Sequence, residues 1–329
     1  MLFRPAAPAD GYAVGRIAPD CRGGTMFLRI DKLQYELPKA QEQNPDAAAA
    51  VQELMGGRFG EMSTLMNYMT QSFNFRGKKE LRPYYDLISN IAAEELGHIE
   101  LVSAAINSLL AGPETPKRQD PADPTTTPLS GFLDAQNLQH FIAGGPGTLI
   151  QDSRGIPWNG DNVFSSGNLV LDLLHNYFLE SGARNNKLRV YEMVKDPVSK
   201  ALTGYLLVRG GVHQVAYAKA LETLTGVEMT KMLPVPHIAT EKIPESKKLM
   251  DQGIHLKLYR MSPSDYNDMG AIWKGPHPDD GQECYVTDEL PNGGEAVDSG
   301  HSSATFSPEY DMDELREIAA RLTKQAGLK

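Results

Sequence analysis

The chain has 329 residues, of which 41% are hydrophobic and 22% charged, an ordinary globular composition with ample material for a core. Its formal net charge of −10 argues against nucleic acid or an anionic membrane surface as partner, and no uninterrupted apolar run approaches the roughly 18 residues of a spanning helix. Cys21 and Cys284 stand far apart without a metal-type spacing. They indicate neither a disulfide framework nor a zinc or rubredoxin-like site, but two reduced thiols in a cytoplasmic protein.

Residues 1–25 carry scattered Pro, Gly and Ala, with no periodic apolar face and no signal-type apolar stretch. Met26 opens a segment that reads like a natural start, so 1–25 are expected to be an irregular leader or extension. Residues 26–230 are expected to form an all-α, ferritin-like four-helix bundle. Its first helix begins at Asn44-Pro45-Asp46, a cap residue, a proline and a first-turn acid, and continues toward Phe73. The second runs from about Lys78 to Ala111 and stops at Gly112-Pro113. Residues 113–165, rich in Pro, Gly, Thr and Asp, read as one long irregular crossover.

The third helix is expected from near Ser165–Asn168 to about Lys195, and the fourth from Asp196-Pro197 to just before Gly226. Residues 231–329 read as an extended, mostly irregular tail with short strand-like pieces such as 254–259. A terminal amphipathic helix over about 311–325 has Leu315, Ile318, Ala319 and Leu322 on one face. A tail with so little core-forming pattern is expected to gain order by wrapping neighbouring subunits of a homo-oligomer.

The chemistry concentrates in Ala92-Ala93-Glu94-Glu95-Leu96-Gly97-His98. Glu95 and His98 are three residues apart and share a helix face, the Glu-x-x-His unit of carboxylate-bridged metal bundles. Glu61, Glu180 and His213 lie in apolar settings on three other helical patterns, where a lone carboxylate would be very costly. Glu61 precedes His98 by 37 residues and Glu180 precedes His213 by 33, the layout of two packed helical hairpins. Three carboxylates and two imidazoles suit two divalent ions such as manganese or iron, with Glu95 able to bridge them. A fully symmetric di-iron bundle would carry a second Glu-x-x-His, but Gly210 stands three before His213.

These segments resemble the manganese catalases, non-haem ferritin-like enzymes. The match runs through Gly56-Gly57-Arg58-Phe59-Gly60-Glu61, Met66-Asn67-Tyr68, Glu94–Glu100, Trp158-Asn159-Gly160 and Ser165–Leu169, and covers about residues 26–280. The resemblance implies disproportionation of hydrogen peroxide to water and oxygen at two manganese ions per subunit bound by Glu61, Glu95, His98, Glu180 and His213. Glu95 and Tyr68 would serve the reaction, Tyr68 as a hydrogen-bonding neighbour of the cluster, and the assembly would be a hexamer. Calcium is a further expectation at Asp86, weakened by Asn90 where a second acid would stand.

Leu179 replaces an arginine before the third glutamate, and Gly210 replaces a glutamate. Together they lead to the expectation of a wider or wetter path to the metals. Two rival readings remain, a ferritin-like di-iron peroxidase or oxidase and a non-catalytic coat or shell protein. His140, His175, His237, His255, His277 and His301 have no partner at ligand spacing and read as surface or structural residues.

Overall fold

The computed structural model describes residues 32–113, 139–142, 147–232, 238–296 and 312–327. The expectations for residues 1–25, Cys21, His237 and His301 lie outside them. Eight helices are described: α1 (Pro45–Gly56), α2 (Glu61–Phe73), α3 (Arg82–Ala111), the single turn α4 (Gln139–Ile142), α5 (Leu169–Met193), α6 (Pro197–Thr225), α7 (Pro244–Asp251) and α8 (Met312–Gln325).

Local chemistry sets most of the ends. The Asn44 side chain accepts the Ala47 N–H, Asn168 accepts Leu171 N–H and Asp196 accepts Ser199 N–H, each satisfying a donor that the first helical turn leaves free. Gly226, with φ of 73°, closes α6 in the left-handed region. The first expected helix is in fact two. The chain turns through 57–60, and a Cβ on Gly60 would stand 2.8 Å from the carbonyl oxygens of Leu54 and Met55, so only glycine permits that return. The break makes Glu61 the first residue of α2, at the positive end of its helix. The second helix starts at Arg82-Pro83 rather than at Lys78.

The four long helices take the ferritin-like arrangement, with α2 and α3 as one hairpin, α5 and α6 as the other, and one long crossover between them. The crossover is stitched to the first half. Gln52 Nε2 donates to the carbonyls of Leu149 and Gln151, Trp158 Nε1 donates to Ser63 Oγ, and Asn67 bonds the backbone of Asn162 and Phe164. Along the bundle, one apolar cluster contains Leu101, Ile106, Leu202 and Leu206, and another contains Leu87, Ile91, Leu173, Val212 and Leu221. Glu94, Glu95 and His98 on α3 and Arg209 on α6 lie between them in sequence, and with His213, next to Val212, they form a buried polar layer.

The stretch 238–296 differs from the expectation of a tail ordered only on a neighbour: it packs on its own bundle. Ser246 Oγ on α7 bonds Gly204 O at 2.9 Å. Strand β1 (Lys257–Tyr259) pairs in parallel with β2 (Tyr285–Thr287), with Leu258 opposite Val286. Trp273 is buried and its indole N–H donates to Leu256 O. Side chains of the bundle hold the backbone of this layer. Asn90 bonds Tyr259 O and Met261 N, and Arg209 Nη1 donates to the carbonyls of Ile254 and Lys257.

Candidate metal centre

Glu61 on α2, Glu95 and His98 on α3, Glu180 on α5 and His213 on α6 converge in the middle of the bundle, all fully or almost fully buried. They form two groups, Glu61–Glu95–His98 and Glu95–Glu180–His213, each with one ligand atom per residue mutually within 4.8 Å. Glu95 belongs to both. Its Oε2 lies 2.8 Å from His98 Nδ1 and its Oε1 lies 2.8 Å from His213 Nδ1, so the two oxygens face the two halves of the site. His98 Nδ1 is also 3.6 Å from Glu61 Oε2, and His213 Nδ1 is 3.4 Å from Glu180 Oε1. The Tyr68 hydroxyl donates to Glu180 Oε1 at 2.6 Å; burial and the Glu180 charge keep that phenol neutral, well above its ordinary range.

These groups demand positive charge. Burial works to lower His98, but the charge of Glu95 and the contact with Glu61 carry it up to about 9. Burial likewise opposes His213, and Glu94 and Glu95 raise it well above the usual imidazole range. Glu180 Oε2 is buried and has no hydrogen-bond partner among the described residues. Three carboxylates and two imidazoles with Nδ1 atoms turned toward shared acids fit a pair of divalent cations that prefer mixed oxygen and nitrogen donors.

Two outer features had no sequence signal beyond their residue type. Glu94, next to the shared acid, is four residues before His98 and fully buried. Its Oε1 is 3.7 Å from His98 Nε2 and its Oε2 is 3.4 Å from His213 Nε2, so one carboxylate stands behind both imidazoles within ion-pair reach. Arg209 holds it by a fork, Nε to Oε1 at 2.6 Å and Nη2 to Oε2 at 3.1 Å. The other feature is Lys187, two turns after Glu180 on α5 and buried, with Nζ 3.0 Å from Glu61 Oε1. Burial tends to raise Glu61, yet Lys187 and His98 hold it well below the ordinary carboxylate range.

Gly210 lies where those side chains pass. A Cβ there would meet Arg184 Cγ at 3.3 Å, Lys187 Nζ at 3.4 Å and Glu180 Oε2 at 3.6 Å. The expectation of an opened path therefore needs correction, since Lys187 and Arg184 take up the room beside the glycine. Leu179 is buried in the apolar cluster on the α5 side. At the position of the calcium expectation the polar groups already have protein partners. Asp86 gives Oδ1 to Arg82 Nε at 2.6 Å and Oδ2 to the Asp268 N–H at 3.0 Å, and Asn90 is spent on Tyr259 and Met261, so a guanidinium and backbone occupy that acid. Of the remaining histidines, His140 contacts Gly147 O and His175 stacks on Phe164. His255 and His277 come together, contrary to the reading from linear spacing.

The chain belongs to the manganese-containing catalases: the sequence profile of that family, described as "Manganese containing catalase", matches residues 26–328. It is 31% identical over 245 residues to the uncharacterized protein YjqC of Bacillus subtilis (strain 168), covering 74% of this chain and 84% of that protein. It is 34% identical over 203 residues to the manganese catalase of Bacillus subtilis, covering 62% of this chain and 72% of that one. Among solved structures it is similar to wild-type KatB, a manganese catalase from Anabaena, at 24% identity and a TM-score of 0.49, over 74% of this chain and 94% of that one.

Proposed function

We propose that this chain disproportionates hydrogen peroxide to water and oxygen, with two manganese ions held by Glu61, Glu95, His98, Glu180 and His213. The observation that carries the reading is the sharing of Glu95 between two three-residue groups, one oxygen toward each. When bound, a manganese pair supplies two-electron redox chemistry, so that peroxide reacts without release of radicals. The chain's own residues do the rest. Glu95 bridges the halves, Glu94 and Arg209 orient both imidazoles, and the two apolar clusters keep the layer dry. Tyr68 holds Glu180 by its hydroxyl proton, and Lys187 balances Glu61.

Purified, manganese-loaded protein is expected to evolve oxygen from peroxide without haem absorption, with two manganese per chain by elemental analysis. Two iron per chain with ferrous oxidation would instead favour a di-iron oxidase or peroxidase, and no metal would favour a coat or shell protein. Gly210, in place of the carboxylate of a second Glu-x-x-His, speaks against the di-iron alternative.

The functional form in this reading is a cytoplasmic homohexamer. Exposed Phe73, Phe178 and Met193 on the bundle helices and the terminal helix α8 supply apolar surface for such an assembly. Sedimentation is expected to give a hexamer at micromolar concentration; a compact monomer would overturn this. Among the described residues no helix is long and apolar enough to cross a membrane.

A further inference from the structure

We infer that His255, His277 and Asp280 form a second divalent-metal site, separate from the bundle centre and suited to zinc or a similar borderline ion. One ligand atom from each residue lies within 4.8 Å of the others. The His255 and His277 rings meet edge to face with centroids 5.2 Å apart, and His255 Nε2 is 2.8 Å from Asp280 Oδ2. Both rings are buried, at 5% and 3% exposure, while the Asp280 side chain reaches the wet edge at 28%. Ligand arms of about 2.0–2.1 Å require donors roughly 3.3 Å apart, so small side-chain movements close the cluster around an ion.

The frame is built to hold these groups. His255 sits on the helical turn Ile254–Leu256, whose first carbonyl accepts from Arg209. His277 and Asp280 lie on a loop pinned by His277 N to Gln282 O at 2.7 Å and Gly281 N to His277 O at 2.8 Å, with a bridge between Pro276 and Glu283 below it. Among the described residues His255 Nδ1 is buried without a hydrogen-bond partner, so the ring is held there through Nε2 and Asp280. A small cleft lined by Arg184, Gly211, His255, His277 and Asp279 lies beside the two rings.

The cations facing this region have other work: Lys219 Nζ donates to the carbonyls of Lys274 and Pro276, and Arg184 donates to Gln214 and Thr240. Two imidazoles and one carboxylate select a borderline ion over calcium or magnesium. Three protein ligands leave a position for water. A bound ion would tie the 254–256 turn to the 276–283 loop.

The inference is independent of the catalase reading, because it concerns zinc uptake and not turnover. Manganese-loaded full-length protein is titrated with zinc sulfate, and zinc and manganese are both counted after equilibrium dialysis. The expected result is one zinc per chain with manganese unchanged, and a higher thermal midpoint. Asp280→Asn, at the exposed edge, is expected to weaken zinc binding by at least about tenfold, and His277→Ala to abolish it. Circular dichroism reports whether His277→Ala folds, and Asp280→Asn decides the matter if it does not. No zinc uptake, equal uptake by wild type and Asp280→Asn, or zinc that replaces manganese ion for ion would each overturn the assignment.

Discussion

Lys187 Nζ stands 3.0 Å from Glu61 Oε1 and 3.4 Å from the point that a Cβ on Gly210 would occupy. The ammonium and the missing side chain are therefore parts of one arrangement: the glycine leaves room for a cation that balances a ligand carboxylate. Lys187→Met keeps much of the side-chain length and removes the charge. It is expected to lower peroxide turnover by about 10–100-fold, the usual cost of losing a partner of a metal ligand, while manganese content stays near that of wild type. Turnover unchanged at full metal occupancy would show that Lys187 only fills space.

The same relationship changes what Gly210→Glu should do. A carboxylate at 210 would meet Lys187 and compete with Glu61 for its charge, rather than hang in open solvent. The expected result is retained manganese with a shifted pH–rate profile. Loss of both metals would show that packing of Arg184 and Lys187 requires the glycine, and an unchanged profile would remove position 210 from the proton path.

Glu94 and Arg209 form a buried pair in which each side chain also serves another part of the molecule. Glu94 backs both imidazoles, and Arg209 reaches the carbonyls of Ile254 and Lys257. Glu94→Gln leaves a buried guanidinium without its counter-charge. Breaking such a pair from one side costs about 3–5 kcal/mol, so the thermal midpoint of the metal-free protein should fall clearly. Manganese affinity should also drop by about 10–100-fold, as for other lost partners of metal-bound histidines. Calorimetry and metal titration measure the two effects separately, and a normal affinity would show that Glu94 does not orient the rings.

The five buried metal-type residues were legible because each is a costly polar group in an apolar helical pattern, and because Glu95 and His98 share a helix face. The helix starts at Asn44, Asn168 and Asp196 were legible from capping chemistry. The break before Glu61 shows in the sequence only as Gly56, Gly57 and Gly60, and the close backbone approach that requires them belongs to the fold. Lys187 and Arg209 carry no sequence signal of burial, since only the fold supplies their counter-charges. The layer at 238–296 has no periodic sequence signal because it is held by single side chains, Asn90 and Arg209, bonding its backbone, and by irregularly spaced Leu258, Ile272 and Trp273. His255 and His277 are too far apart in sequence to suggest ligand spacing.

Trp273 anchors that layer, with its ring in the apolar cluster that also holds Leu87 and Leu221 and its N–H on Leu256 O. Trp273→Ala removes the largest fully buried side chain among the described residues and is expected to cost about 3–5 kcal/mol. Limited proteolysis should then cut within 238–296 while the helical circular dichroism of the bundle persists. Equal resistance to protease would mean that contacts other than this ring hold the layer down.

In the chelator-stripped protein the acids around His98 raise it to about 9, against burial, from an ordinary value near 6.5. A folded-state value above the unfolded one gives stability that is fully present below about pH 6.5 and is lost as pH rises through about 9. The shift corresponds to a contribution on the order of 3 kcal/mol. The thermal midpoint of stripped protein should therefore fall between pH 7 and pH 10. Manganese ligation needs the neutral ring, so the loaded protein should lack that slope, and metal uptake at pH 7 should release protons that a pH-stat can count. Parallel slopes for the stripped and loaded forms, with no proton release, would show that His98 does not exchange a proton for the metal.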